Sequence, residues 1–235
     1  VIEIGPGFGA LTKHIVKRAK RVLLYEIDQE LIPHLKVLFK EKDNIDILHQ
    51  DFLAVDNIDE TIDQYFDHSR VVVMSNLPYH ITTPIIMKIL EESTKVDRLV
   101  LMMQLEVAKR LTSKPNTKDY NALSIIVQDQ TEAKYLFKVP KTVFKPRPNV
   151  DSAVISLDII KDRKRDPDFY HFIHQCFKQR RKTLTNNLHK AYQIDKDEIH
   201  DILNRLNIHE KIRSEALNSE QFKHLYTILK EEDYI

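Results

Sequence analysis

At 235 residues with 42% hydrophobic side chains, the chain has material for one substantial core and a smaller second domain. A formal charge of +1 excludes a protein that meets a polyanion through bulk charge, and a lone cysteine, Cys176, excludes an intrachain disulfide framework and suits a reducing, cytoplasmic compartment. No apolar run approaches the roughly 18 residues of a membrane span, so no membrane partner is expected.

In chain order, Val1 to Ile4 reads as a buried strand and Leu11 to Arg18 as the helix after it. The record opens at Val1 inside a strand and without a methionine, and the expectation is that further residues precede it. Between strand and helix stand the only three glycines of the chain, Gly5, Gly7 and Gly9. Glycine tolerates positive φ and lets another molecule approach the backbone closely. A strand-to-helix turn of this kind is where open α/β sheets bind nucleotide-like ligands. Arg21 to Glu26 is a second strand, Glu30 to Phe39 a helix and Ile45 to His49 a third strand. Val71 to Ser75 is apolar and β-branched enough to be buried on both faces. Thr83-Pro84 opens the next helix, with a capping hydroxyl and proline at the first helical position. Leu99 to Gln104 is a fifth strand, and Asn121 caps a helix running to Asp129. This alternation predicts an α/β domain with a mainly parallel sheet over residues 1–161.

Asp162 to Asp168 is a charged, proline-containing linker, and no strand is expected beyond it. Phe169, Phe172, Ile173, Cys176 and Phe177 make one helical stripe; Ile199, Ile202, Leu203 and Leu206 make another. Ser219 caps a last helix carrying Phe222, Leu225, Tyr226 and Leu229. Residues 162–235 therefore read as a small all-α domain. His171, His174 and Cys176 look like a metal cluster on paper, but on a helix 171 and 176 face apart and Cys176 belongs to the apolar stripe; no metal is expected.

The spacing of the glycine turn leaves two ligands open. Gly5-x-Gly7-x-Gly9 is a pattern of S-adenosylmethionine sites, while Gly5-x-Gly7-x-x-Ala10 also fits a dinucleotide fingerprint with Glu26 21 residues on from Gly5. In either case a carboxylate at the end of the second strand accepts both ribose hydroxyls. Asp51, after the third strand, reads either as a turn cap or as an acceptor for an adenine amine. Ser75-Asn76-Leu77-Pro78-Tyr79 follows the fourth strand directly. Pro78 removes a backbone donor and holds Leu77 extended, so carbonyl oxygens gather beside the Asn76 amide and the Tyr79 ring. This is a cup of acceptors next to a stacking platform, suited to the exocyclic amine of a planar base. Taken alone, the same residues also read as a strand-ending turn.

With Glu3-Ile-Gly-Pro-Gly-Phe-Gly9, Tyr25-Glu-Ile-Asp28, Gln50-Asp-Phe52, Asn76-Leu-Pro-Tyr79, Val143-Phe-Lys-Pro-Arg-Pro-Asn-Val-Asp-Ser-Ala-Val154 and Phe177-Lys-Gln-Arg-Arg-Lys-Thr-Leu-Thr-Asn-Asn-Leu188, the chain resembles the ribosomal RNA adenine N6,N6-dimethyltransferases. That family joins KsgA-type small-subunit enzymes and Erm-type large-subunit resistance enzymes, and the last stretch looks like the KsgA-type signature. The resemblance implies a Rossmann-like class I S-adenosylmethionine-dependent methyltransferase sheet over residues 1–161 and a helical RNA-binding domain over 162–235. It implies that the Gly5 turn holds the methionine part of S-adenosylmethionine, Glu26 the ribose and Asp51 the adenine, with Glu3, Gly7, Gly9, Ile27, Phe52 and Asn76 completing the cofactor site. Asn76, Leu77, Pro78, Tyr79 and Phe144 then form the catalytic set. Asn76 and a carbonyl of Leu77 or Pro78 accept the two N6 hydrogens of the target adenine, and Tyr79 and Phe144 stack its ring. His80 beside them is expected to do no more than pack. The implied partner is small-subunit rRNA in an assembling subunit, met by a monomer.

Three departures stand out. Gln50 replaces the family's usual glycine before Asp51, Thr185 replaces a basic residue, and the family's Gln-Asn-Phe cofactor motif belongs before Val1. Charge is patchy: Lys141, Lys145 and Arg147 surround Phe144, while Lys178, Arg180, Arg181 and Lys182 put four cations into five positions. Lys145, Arg147 and the second cluster are candidate phosphate contacts. Competing readings are an Erm-type large-subunit enzyme, an assembly factor with incidental catalysis, and an NAD-dependent oxidoreductase on the same glycine turn.

Overall fold

In the computed structural model, which describes residues 1–67 and 69–235, seven strands share one sheet. They are β1 (Ile2–Ile4), β2 (Val22–Glu26), β3 (Ile45–His49), β4 (Val71–Asn76), β5 (Val96–Gln104), β6 (Thr131–Val139) and β7 (Ser152–Ile159), in the order β3-β2-β1-β4-β5-β7-β6. β1 to β5 pair in parallel, with Ile4 opposite Tyr25, Tyr25 opposite Leu48, Ile2 opposite Val73 and Ser75 opposite Leu101. β7 runs antiparallel to β5, with Leu101 opposite Ile155. The sheet is therefore mixed. Its two last strands escape the sequence reading for different reasons. Most of β6 is exposed, including the consecutive Tyr135, Leu136 and Phe137, so it shows no alternation. β7 does alternate, burying Ala153, Ile155 and Leu157, but it begins within a stretch read as a motif that ends at Val154. β4 buries Val71, Val73 and Ser75 while Val72 and Met74 stay half-buried, so it is not enclosed on both faces.

Ten helices complete the described residues: α1 (Thr12–Ile15), α2 (Leu31–Leu38), α3 (Ile58–Tyr65), α4 (Thr82–Glu92), α5 (Leu105–Leu111), α6 (Ala122–Gln130), α7 (Pro167–Cys176), α8 (Leu184–Tyr192), α9 (Lys196–Arg205) and α10 (Ser219–Glu231). α1 is shorter than Leu11 to Arg18 and lacks a side-chain cap. α4 starts one residue before Thr83 with Ile81 at its cap; the missing amide of Pro84 falls in the first turn, where amides have no helical partner anyway. Asn121 caps α6 in a reciprocal bond set with Ser124. At α10 the cap is Asn218, which exchanges bonds of 2.9 and 3.0 Å with Gln221, while the Ser219 hydroxyl goes to Asp129.

The chain divides into two units, Val1–Ala108 with Glu132–Lys161, and Lys109–Thr131 with Asp162–Ile235. The segment Lys109–Thr131, assigned from sequence to the first domain, belongs with the C-terminal helices because α6 packs against α7 and α10. Spacing along the chain carries no sign of that contact. The second unit is organised around Phe172, fully buried and in ring contact with Phe169, Tyr192, Phe222 and Tyr226. Cys176 is enclosed in the same unit, and burial pushes its thiol well above the usual range, as expected of a small hydrophobe.

Phe172→Ala is expected to cost about 3–5 kcal/mol of stability, because four rings lose their common contact and the site cannot collapse fully. Urea unfolding followed by circular dichroism measures this, and a loss below about 1 kcal/mol would contradict the packing described.

Candidate active site

The parallel register brings the carboxyl ends of β1, β2, β3 and β4 side by side, so Gly5, Glu26, Asp51 and Asn76 share one edge of the sheet. They open onto a cleft of about 640 Å³ that is also lined by Gly7, Ile27, Phe52, Leu77, Pro78, Tyr79 and Phe144. Most of the site residues read from the sequence thus meet in one cavity.

The glycine turn has the backbone that only glycine adopts freely, with φ of 65° at Gly5 and 57° at Gly7. A Cβ added at either would meet no atom within 4 Å, so the space beside them is open for a ligand. Gly9 is different. A Cβ there would sit 3.0 Å from Leu38 and 3.1 Å from Phe39, and Gly9 does not line the cleft. It packs closely against the end of α2, a contact invisible in a motif spacing.

Glu26 is buried and accepts two backbone bonds, from Gly7 N to Oε2 at 3.0 Å and from Asp28 N to Oε1 at 3.0 Å. Its carboxylate therefore braces the turn as well as facing the cleft, where each oxygen retains lone pairs for ribose hydroxyls. Glu3, expected in the cofactor site, is enclosed in β1 and does not line the cleft, and its Oε2 has no hydrogen-bond partner. Burial pushes its carboxyl up to about 7, and the neighbouring Thr12 hydroxyl opposes that only in part. Asp51 is the turn cap of one reading, and it also faces the cleft. Oδ1 caps the short 3₁₀ turn at Phe52–Ala54 by accepting Leu53 N at 2.9 Å, and the residue lines the cleft. Ile27 is 66% exposed and Phe52 is buried edge-on against Tyr25 at 5.1 Å, so the cleft has apolar walls where a planar ring would lie.

At the end of β4, Ser75 Oγ accepts the Ile4 amide at 2.8 Å and locks β4 to β1. Leu77 is buried and Asn76 exposed, so the chain alternates out of the strand. The Pro78 carbonyl is taken twice, by Ile81 N at 3.2 Å and Thr82 Oγ1 at 3.3 Å. Among the described residues the Leu77 carbonyl takes no backbone or side-chain donor. Tyr79 is pinned by a 2.9 Å bond between its hydroxyl and Ser152 Oγ on β7. His80, expected only to pack, lines the cleft. So do Pro146 and Pro148, which sequence reasoning did not single out although they flank Arg147 in the quoted motif. Asp151 closes the base of this loop by accepting Lys141 N at 2.9 Å and pairing with Lys138 at 2.7 Å, which holds its carboxyl below the usual carboxylate range. Lys145 and Arg147 are exposed on it.

The second basic cluster lies in the turn between α7 and α8, not on a helix face, and Lys178, Arg180, Arg181 and Lys182 are all exposed. Buried Asn187 shapes that turn: Oδ1 accepts Gln179 N at 3.1 Å, and Nδ2 donates to the Cys176 carbonyl at 2.8 Å. Arg180 also donates to the Lys118 carbonyl, so it is partly a structural tie. Thr185 is buried with its hydroxyl on the Glu210 carbonyl at 3.1 Å, a place for a small side chain rather than a cation. Among the described residues no group of three or more His, Cys, Asp or Glu is placed to hold a metal ion, and no helix is long and apolar enough to cross a membrane.

The family model for ribosomal RNA adenine dimethylase matches residues 1–231. The chain is 46% identical over 244 residues to ribosomal RNA small subunit methyltransferase A of Bacillus pumilus, covering 98% of this chain and 81% of that protein. It is 45% identical over 233 residues to the protein of the same name from Clostridioides difficile, covering 97% and 80%. Among solved structures it is similar to a dimethyladenosine transferase from Plasmodium falciparum, with a TM-score of 0.80, 25% identity and coverage of 99% and 90%. The fold is also that of the 23S rRNA methyltransferase ErmE, with a TM-score of 0.72, 24% identity and coverage of 97% and 90%.

Glu3 generates a pH prediction. Its folded value near 7 lies above the unfolded 4.5, so between those values the folded chain holds a proton that the unfolded chain has lost. Stability therefore falls as pH rises through that window and levels off above it. Glu3→Gln is expected to match wild type at pH 4.5 and to exceed it by about 2–3 kcal/mol at pH 8. Denaturant titrations at the two pH values check this; parallel pH profiles would contradict it.

Proposed function

The chain belongs to the ribosomal RNA adenine dimethylase family, and from that membership and the chemistry of the cleft we propose that it transfers methyl groups from S-adenosylmethionine to N6 of two adjacent adenines in a small-subunit rRNA hairpin. The product is N6,N6-dimethyladenosine. The enzyme works as a monomer in the cytoplasm, on rRNA within an assembling subunit. Family membership sets aside the dinucleotide reading that the glycine spacing left open.

The residues present fit the cofactor. Open space beside Gly5 and Gly7 admits a chain against positive-φ backbone, the Glu26 carboxylate is positioned for ribose hydroxyls, and Asp51 with Ile27 and Phe52 suits an adenine. When bound, S-adenosylmethionine supplies a methyl group on a sulfonium, a strong electrophile.

What the chain must then supply is a competent nucleophile, because the lone pair of adenine N6 is delocalised into the ring. The observation that carries the reading is the free Leu77 carbonyl beside Asn76, at the strand end where the Pro78 carbonyl is already engaged. Asn76 Oδ1 and Leu77 O accept the two N6 hydrogens, favour a pyramidal nitrogen and stabilise the positive charge that develops on it. Positioning and electrostatics provide the acceleration. Tyr79 and Phe144 offer stacking faces worth roughly 1–3 kcal/mol per base, and the bond to Ser152 keeps the Tyr79 ring in place. A monomethylated nitrogen still has one hydrogen to donate, so one of the two acceptors serves the second transfer.

Asn76→Ala is expected to lower methyl transfer from labelled cofactor to small-subunit rRNA by about 10²–10³; near wild-type transfer would sink the assignment. Tyr79→Phe keeps the ring and is expected to stay within about threefold of wild type, whereas Tyr79→Ala loses roughly ten- to hundredfold in kcat/KM. Equal losses in both would mean that the hydroxyl, not the stacking face, matters.

A further inference from the structure

Each methyl transfer leaves a proton to be disposed of. As the N6 lone pair bonds to the methyl carbon, the C–S bond breaks with its electron pair left on sulfur. N6 becomes a cation and must give up one of its hydrogens as a proton. Asn76 Oδ1 and Leu77 O accept hydrogen bonds from N6, but both are amide oxygens and do not hold a proton near neutral pH. Dimethylation requires this loss twice at one nitrogen.

The groups that line the cleft narrow the choice of acceptor. Around the exit from β4, the Tyr79 hydroxyl is bound to Ser152 Oγ at 2.9 Å and the Thr82 hydroxyl to the Pro78 carbonyl at 3.3 Å. Ile81, Ile85, Pro146 and Pro148, which also line the cleft, have no polar side-chain atom. The lining carboxylates follow β2 and β3 and are already engaged. Glu26 accepts two backbone amides, Asp28 Oδ1 accepts the Glu30 amide at 2.9 Å, and Asp51 Oδ1 accepts the Leu53 amide at 2.9 Å. His80 is different. It follows Tyr79 directly, lines the cleft and is exposed to solvent, and its ring makes no hydrogen bond to the protein among the described residues. Imidazole is the side-chain group that exchanges protons most readily near neutral pH.

We infer that His80 receives the proton leaving N6 in each methyl transfer, through one water of the cleft, and passes it to solvent. The ring takes the proton as imidazolium, and its exposure lets it discharge before the second transfer. The inference rests on the adenine N6 reading above and gives chemical work to a residue expected from sequence only to pack.

The test is single-turnover methyl transfer from labelled S-adenosylmethionine to saturating small-subunit rRNA, which reads the chemical step. His80→Ala is expected to slow it about tenfold, less than the usual loss of a proton acceptor because bulk water also takes so acidic a proton. His80→Gln, polar but unable to take up a proton, is expected to be as slow, and it carries the comparison if the alanine variant folds poorly. Affinity for S-adenosylhomocysteine is expected to match wild type. Added imidazole is expected to rescue His80→Ala, and 1-methylimidazole, which has an acceptor nitrogen but no N–H, to rescue it equally. The rescued rate rises with basicity along a series of substituted imidazoles. Rates within about twofold of wild type in both variants, rescue by imidazole but not by 1-methylimidazole, or rescue independent of basicity overturns the inference. Absence of methyl transfer by the wild-type protein would instead overturn the adenine reading beneath it.

Discussion

Glu26 accepts the Gly7 amide on one carboxylate oxygen and the Asp28 amide on the other, and this double hold ties the turn after β1 to the loop after β2. Bonds to a carboxylate are roughly twice as strong as neutral ones, and here they are partly shielded from solvent. Without them, a turn with three positive-φ residues would sample many conformations and the cofactor side of the cleft would have to be ordered on binding. With them, the cradle exists in advance and the cost of ordering is removed from the binding step. Two weaker ties extend the same logic: Ser75 fastens the end of β4 to β1, and Ser152 fastens the Tyr79 ring to β7.

The cleft consequently has two walls of different origin. One wall comes from the ends of parallel strands, whose register alone brings Gly5, Glu26 and Asp51 together. The other comes from the departure of the chain from β4 and from the loop that carries Phe144 between β6 and β7, closed at its base by Asp151. Asn76 stands where the two meet. The start of α4 engages the Pro78 carbonyl, while the Leu77 carbonyl takes no protein donor among the described residues.

Much of this was legible in the chain. Apolar stretches rich in β-branched residues mark the strands of the sheet, which is why β1 to β5 could be placed, and glycines confined to one turn announce a backbone demand. Motif resemblance pointed to Asn76, Tyr79 and Phe144. What could not be read depends on contacts between distant segments. Gly9 looks like its neighbours until Leu38 and Phe39 are seen against it, and the burial of Glu3 shows only once β1 is enclosed. The grouping of Lys109–Thr131 with the C-terminal helices, and the tie from Arg180 to Lys118 within that group, are likewise tertiary. β6 was missed because an exposed strand carries no burial pattern to find.

The activity proposed for this cleft is delivery of methyl groups to adenine N6 in small-subunit rRNA. The most direct measurement is to incubate the protein with S-adenosylmethionine and each ribosomal RNA, then map modified nucleosides by mass spectrometry. Adjacent N6,N6-dimethyladenosines confined to the small-subunit RNA are predicted; modification of large-subunit RNA instead, or methyl groups on another atom, would contradict it.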